Sequence, residues 1–177
     1  MRLRNGPAGY GLVTKALHWL TVVAVTAQFA AGYGLEALSE WVAGTDDSDA
    51  DEAGVFVHAG LGVAILLLTV IRLSWRSATH LPPWAEQLSA RDRRVAHRTE
   101  QVLYLTLFLI PLSGLALLFL SGEERDIAED NEWQPPYDVV SDEFALFAHI
   151  SGHILFYLAI LVHVGLALRR RTVTRML

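Results

Sequence analysis

The sequence contains no cysteine, and this absence excludes several kinds of site. Without a thiolate the chain cannot form disulfides, hold an iron–sulfur cluster, attach a c-type haem covalently or build a cysteine zinc site. Acidic side chains are nearly absent from the long apolar stretches, where only Glu100 lies near an end. A metal or proton transporter would need such side chains to share charge with its ion. The transporter is therefore a weak hypothesis, and a bare structural scaffold is weaker still, because histidines within the spans would then be costly without purpose.

Four long apolar stretches dominate the chain. It has 177 residues, of which 53% are hydrophobic, and its mean hydropathy is +0.34. Each stretch has the ~20 residues needed to cross a hydrocarbon core about 30 Å thick, and backbone groups within lipid must be satisfied by helix formation. The stretches cover about residues 16–35, 55–74, 102–120 and 144–168. We predict an all-α membrane protein, a single domain over residues 1–177 with four transmembrane helices in an up-down-up-down bundle.

The distribution of charge predicts the orientation in the membrane. Of the 14 Lys and Arg, all but Arg125 lie before the first stretch, around the connection between the second and third, or after the fourth. The positive-inside rule then places both termini in the cytoplasm. The two outer loops, about 36–54 and 121–143, hold nearly all of the 19 Asp and Glu. Such a surface attracts cations or a basic protein and repels small anions.

Four histidines fall at two matched depths of the predicted bundle. His149 and His163 are 14 residues apart in the fourth stretch, so they project from nearly the same helix face, roughly 21 Å apart along the axis. His18 lies at the inner depth with His163, and His58 at the outer depth with His149. Histidine within a membrane span is costly and indicates a functional site. Each pair can hold one iron between facing helices, so two stacked haems are the predicted cofactors.

Three further histidines are either alternative ligands or residues outside the predicted haem sites. His153 lies one turn from His149, but differs from His163 in phase by about 80°, against about 40° for His149. It is the second-choice ligand, a contact to a haem propionate, a proton carrier or a structural polar contact. His97 is the alternative to His163 at the inner depth, or a residue near headgroups or a quinone. His80, in the middle loop, is interpreted as solvated.

Several short motifs occur in a fixed order along about residues 8–170. They are Ala16-Leu17-His18-Trp19, His58-Ala59-Gly60-Leu61-Gly62, Leu103-Tyr104, Pro111-Leu112-Ser113-Gly114 and the spacing from His149 to His163. The ordered set resembles the prokaryotic cytochrome b561 family, which is related to the b-type cytochrome subunits of nickel–iron hydrogenases. The resemblance implies a multi-pass protein of the plasma (inner) membrane of a prokaryote. It also implies two haem b groups, with His18, His58, His149 and His163 as axial ligands of the iron.

The same resemblance implies electron transport across the membrane. The partners would be an outer-side electron donor or acceptor and the quinone pool, and some members oxidise superoxide. If self-contained, the protein would be a quinone-linked oxidoreductase. The alternative is a membrane-anchor electron-transfer subunit of a dehydrogenase or hydrogenase complex, with a protein subunit on the outer side. The acidic outer loops argue against superoxide, because they would slow an approaching anion. No nucleic acid is expected as a partner.

Overall fold

Four long helices make up most of the chain that the structure describes. This structure is a computed structural model, which describes residues 2–34, 48–121 and 136–177, with side chains of the second segment described from residue 54. The helices are α1 (Leu12–Tyr33), α2 (Ser48–Ala78), α3 (Ala90–Phe119) and α4 (Asp142–Arg169), and a 3-10 turn follows at Val173–Arg175. All four are long and apolar enough to cross a membrane. The predicted four-helix membrane bundle is therefore confirmed, while most of both predicted outer loops lies outside the described residues.

Two of the helices, α3 and α4, begin where a serine side chain caps them, and not where the sequence turns apolar. The long α3 starts at Ala90 because Ser89 and Asp92 form a capping box. The Ser89 hydroxyl accepts from the Asp92 backbone N–H at 3.2 Å, and the Asp92 carboxylate accepts from the Ser89 N–H at 3.0 Å. Two backbone donors that a helix start leaves unpaired are thus satisfied. The first turns of α3 are polar, so hydropathy alone placed the predicted third stretch further along the chain.

Helices that follow each other in the sequence pack against each other, α1 on α2, α2 on α3 and α3 on α4. A small apolar core lies about midway along the bundle. Its buried members are Val25, Ile65, Leu107, Ile110 and Phe156. Much of the remaining apolar surface is exposed, as for helices that face lipid. On α4 it includes Phe147 and Leu161, which are 69% and 70% exposed.

The segment after α4 folds back over the inner end of the bundle, the end predicted to face the cytoplasm. Arg170 forms an ion pair with Asp92 at 2.8 Å. Arg175 donates to the Pro83 carbonyl at 2.8 Å and lies over the Tyr10 ring at 5.4 Å. Burial raises the pKa of Tyr10, so its hydroxyl stays protonated at neutral pH. These contacts tie the last residues to the first turn of α3, the middle loop and the N-terminal segment.

Removing the α3 cap is expected to weaken the fold. Replacing Ser89 with alanine leaves the Asp92 N–H without its acceptor and should lower the free energy of unfolding by about 1 kcal/mol. The measurement is the midpoint of detergent-induced unfolding followed by circular dichroism. Ser77→Ala is the control, because the exposed Ser77 hydroxyl only donates to a carbonyl of its own helix. Equal midpoints for the two variants would show that the cap contributes nothing.

Candidate functional site

The inner histidine pair joins the first and last helices. His18 on α1 faces His163 on α4, with the ring centres 6.3 Å apart and the ring planes 51° apart. Two imidazoles that bind one metal ion from opposite sides, through bonds of about 2 Å, have their ring centres about 6 Å apart. The observed spacing therefore matches one ion held between the two rings. The sequence placed these residues at one depth, and the structure brings them together.

The outer histidine pair joins α2 and α4. The ring centres of His58 and His149 are 6.4 Å apart, with ring planes 68° apart. This spacing is nearly the same as that of the inner pair. Both pairs take one member from α4, as the 14-residue spacing of His149 and His163 requires. The bundle thus holds two opposed imidazole pairs at two depths.

The His149 ring is oriented by α3. Its Nδ1 lies 2.9 Å from the Ile110 carbonyl oxygen and 3.2 Å from the Ser113 hydroxyl. When Nδ1–H donates to the carbonyl, the lone pair resides on Nε2, the nitrogen available to a metal. Close approach of the ring to α3 depends on Gly114, where an added Cβ would lie 3.1 Å from the His149 Cε1. The Ile110 carbonyl and Gly114 together determine the orientation of the His149 ring.

The His58 ring is held by α1. At Gly32 an added Cβ would lie only 2.7 Å from the His58 Cε1, so no larger residue fits there without moving the ring. The Gln28 amide nitrogen lies 3.3 Å from Nδ1 and 3.1 Å from Nε2 of His58. The buried Gln28 Oε1 has no partner in the described part of the chain. Turning the amide over would let this oxygen accept from His58 Nδ1–H, leaving Nε2 available to a metal.

His153 lies beside the outer pair. Its ring centre is 4.7 Å from that of His149 and 5.1 Å from that of Phe29, with an edge-to-face arrangement against Phe29. Phe29 in turn packs against Phe156 and Tyr157. His153 therefore contacts an aromatic cluster between α1 and α4. Its role as a second-choice ligand or haem contact stays a prediction.

The two other histidines are on the surface. His97 lies on an exposed part of α3, and His80 is exposed in the connection after α2. Within the described residues, neither takes part in the ring contacts that join His18 to His163. The alternative roles of His97, as a ligand or as a quinone contact, stay predictions.

A charged side chain borders the inner pair. The guanidinium of Arg72 on α2 lies 3.0 Å from His18 Nδ1 and 5.7 Å from the centre of the Tyr104 ring. It also lines a polar cavity of about 30 Å³ together with Thr14 and Trp75, which is room for about one or two water molecules. The inner pair thus has a cation at its side, whereas the outer pair has the amide of Gln28.

The arrangement fits two haems. Both imidazole pairs have the spacing that a six-coordinate iron requires of two axial ligands. The residues that would hold the groups are His58 with His149 and His18 with His163.

Two neighbours of the histidines were not identified as site residues from the sequence. Gln28 is a polar side chain within an apolar stretch, and that alone is a signal for an intramembrane site. Gly32 carries no such signal, because glycine is frequent in membrane helices for packing alone. Its importance follows only from its distance to the His58 ring.

Comparison with known proteins gives two matches. The family model described as "Prokaryotic cytochrome b561" matches residues 9–177. "Cytochrome b561 homolog 2" of Escherichia coli (strain K12) is 30% identical over 123 residues, which cover 70% of this chain and 62% of that protein. The match therefore spans less than two thirds of the relative's length. The matched region of the family model includes every histidine of the two pairs.

Proposed function

Because this chain belongs to the prokaryotic cytochrome b561 family, we propose that it is a di-haem cytochrome that carries electrons across the membrane between an outer-side partner and the quinone pool. The family and the four spanning helices make the chain a multi-pass membrane b-type cytochrome of a prokaryote. The observation that carries the finer proposal is the presence of two opposed imidazole pairs, 6.3 Å and 6.4 Å apart, at two depths of one bundle.

The chain contributes position and environment to this chemistry. A bound haem supplies reversible one-electron redox chemistry at its iron. α4 sets the separation of the two sites through His149 and His163, roughly 21 Å apart along the helix. The buried core residues Ile110 and Phe156 fill the level between the pairs and keep water out. The two proposed redox sites thus share one helix, α4, and are surrounded by apolar side chains.

Hydrogen bonds to the ligands tune the outer site. The Ile110 carbonyl accepts from His149 Nδ1–H at 2.9 Å and fixes the rotation of the ring. Such a bond also makes the imidazole a stronger electron donor toward a metal. The Gln28 amide has the corresponding place beside His58. Both partners are uncharged, so they orient the ligands without adding charge to the site.

The outer partner is proposed to be cationic or a basic protein. Nearly all of the 19 Asp and Glu of the chain lie in the two outer loops or at their margins. A surface of this sign steers cations toward the outer pair and slows anions such as superoxide. A protein donor would make the chain the membrane subunit of a larger complex, and stoichiometric co-purification of a second chain would identify that arrangement.

The haem content tests the proposal directly. A pyridine haemochrome count on the purified chain should give two haems b per chain, and the reduced spectrum should be that of low-spin, bis-histidine iron. Anaerobic addition of a short-chain ubiquinone should then reoxidise the reduced protein. One haem per chain would mean that one pair is misassigned. A chain without haem, after expression with adequate haem supply, would overturn the electron-transfer function.

A further inference from the structure

The charge beside the inner pair is not balanced by a carboxylate of the part of the chain that the structure describes. Arg72 is half-buried on α2, and its guanidinium lies 3.0 Å from His18 Nδ1 and over the Tyr104 ring. Within residues 2–34, 54–121 and 136–177, no Asp or Glu oxygen lies within ion-pair distance of it. The ring of His18 faces that of His163, with the ring centres 6.3 Å apart. A positive charge therefore lies beside the inner pair, in contact with one of its two histidines.

The next arginine on the same helix provides a contrast. Arg76 lies one turn further along α2, and both of its terminal nitrogens contact the Glu100 carboxylate, at 2.6 Å and 2.9 Å. This pair is close to neutral as a unit. Arg72 and Arg76 thus have the same side chain on one face, but only Arg72 contributes a net charge to the interior.

The outer pair has no such cation among the described residues. The groups that contact His58 and His149 are the Gln28 amide, the Ile110 carbonyl and the Ser113 hydroxyl, all uncharged, and the ring of His153 lies 4.7 Å from that of His149. The loops on that side are strongly acidic in sequence. Negative charge favours oxidised iron, and positive charge favours reduced iron, because reduction adds one electron to the site.

We infer that Arg72 makes the inner haem the more readily reduced of the two, and so directs electrons from the outer pair toward the inner one. This inference rests on the proposed function. In the transfer one electron leaves the outer site, which is oxidised, and enters the inner site, which is reduced. No proton or further reactant is needed for that step. A fixed charge in the fold, and not the nature of the ligands, then sets the direction, since both sites offer two histidines.

The test is a potentiometric titration of the purified di-haem protein and its variants. In Arg72→Gln the ratio of reduced to oxidised inner haem, at a fixed ambient potential, should fall roughly tenfold, a shift of 59 mV for one electron. The reduction potential of the outer haem should not change. Arg72→Lys keeps the charge and should keep both potentials. The double variant Arg76→Gln/Glu100→Gln removes a neutral pair and should also leave both unchanged.

Two further variants keep the inference falsifiable. His58→Ala/His149→Ala should leave one haem, titrating at the higher of the two wild-type potentials. Glu100→Gln frees the charge of Arg76 and should raise that same potential, which tests the electrostatics even if Arg72→Gln fails to retain its haem. The inference would be overturned if both haem potentials were unchanged in Arg72→Gln, or if the inner haem had the lower potential. Either result would leave the proposed function intact. A count other than two haems would contradict the proposed function itself, before any titration.

Discussion

Replacing His149 with alanine is expected to reduce the haem content from two per chain to one. The variant removes one of two imidazoles that lie 6.4 Å apart and leaves His58 without a ligand partner. The inner pair, which shares only α4 with the outer one, should keep its haem and its spectrum. The measurement is a haemochrome count with a low-temperature reduced spectrum, in which one of two overlapping α-bands should disappear.

His153→Ala is the matched control for that experiment. His153 is one helical turn away, and its ring centre is 4.7 Å from that of His149. Because it packs edge-on against Phe29, its loss should leave both haems in place. If His153→Ala lost a haem and His149→Ala kept two, the ligand assignment at the outer site would be reversed.

Replacing Gly32 with alanine is expected to damage the outer site although Gly32 binds nothing itself. The added Cβ would lie 2.7 Å from the His58 Cε1, too close for any real contact, so the ring must leave its position. Overpacking of this kind costs about 1–3 kcal/mol, and the affinity of the outer site for haem should fall roughly tenfold or more. Occupancy is measured by titrating haem into the apoprotein in detergent.

Gly60→Ala separates this effect from a general cost of substituting glycine in a helix. An alanine Cβ at Gly60 would meet no atom within 4 Å, although the residue lies only two positions from His58. The Gly60 variant should therefore bind both haems as the unmodified chain does. Equal occupancy in the two variants would contradict the close approach of His58 to α1.

The sequence predicts those features of this protein that follow from periodicity. The 14-residue spacing of His149 and His163 fixes a shared helix face, and hydropathy with the distribution of Lys and Arg predicts four spans and their direction. The start of α3 was not predicted, because it depends on the hydrogen bonds of Ser89 and not on apolar character.

The surroundings of the histidines could not be predicted, because they depend on contacts between helices. Gln28 reaches His58 across 30 residues of sequence, and Arg72 reaches His18 across 54. Which residue of one helix faces which residue of another is set by helix rotation and register. A single sequence contains no direct measure of either quantity. For the same reason the role of Gly32 could not be predicted from the sequence, because it depends on having no side chain where the His58 ring lies.

Both imidazole pairs draw one member from α4, which leaves the ribosome after α1, α2 and α3. Neither pair exists while only the first three helices have been inserted, so cofactor capture has to follow translation of α4 at least as far as His149. A nascent chain that stalls before His149 would be inserted into the membrane without bound haem. Products that end before His149 are thereby prevented from becoming redox-active in the bilayer. Ribosome-stalled chains of graded length would show this as an abrupt onset of haem binding, first at the outer pair and then at the inner one.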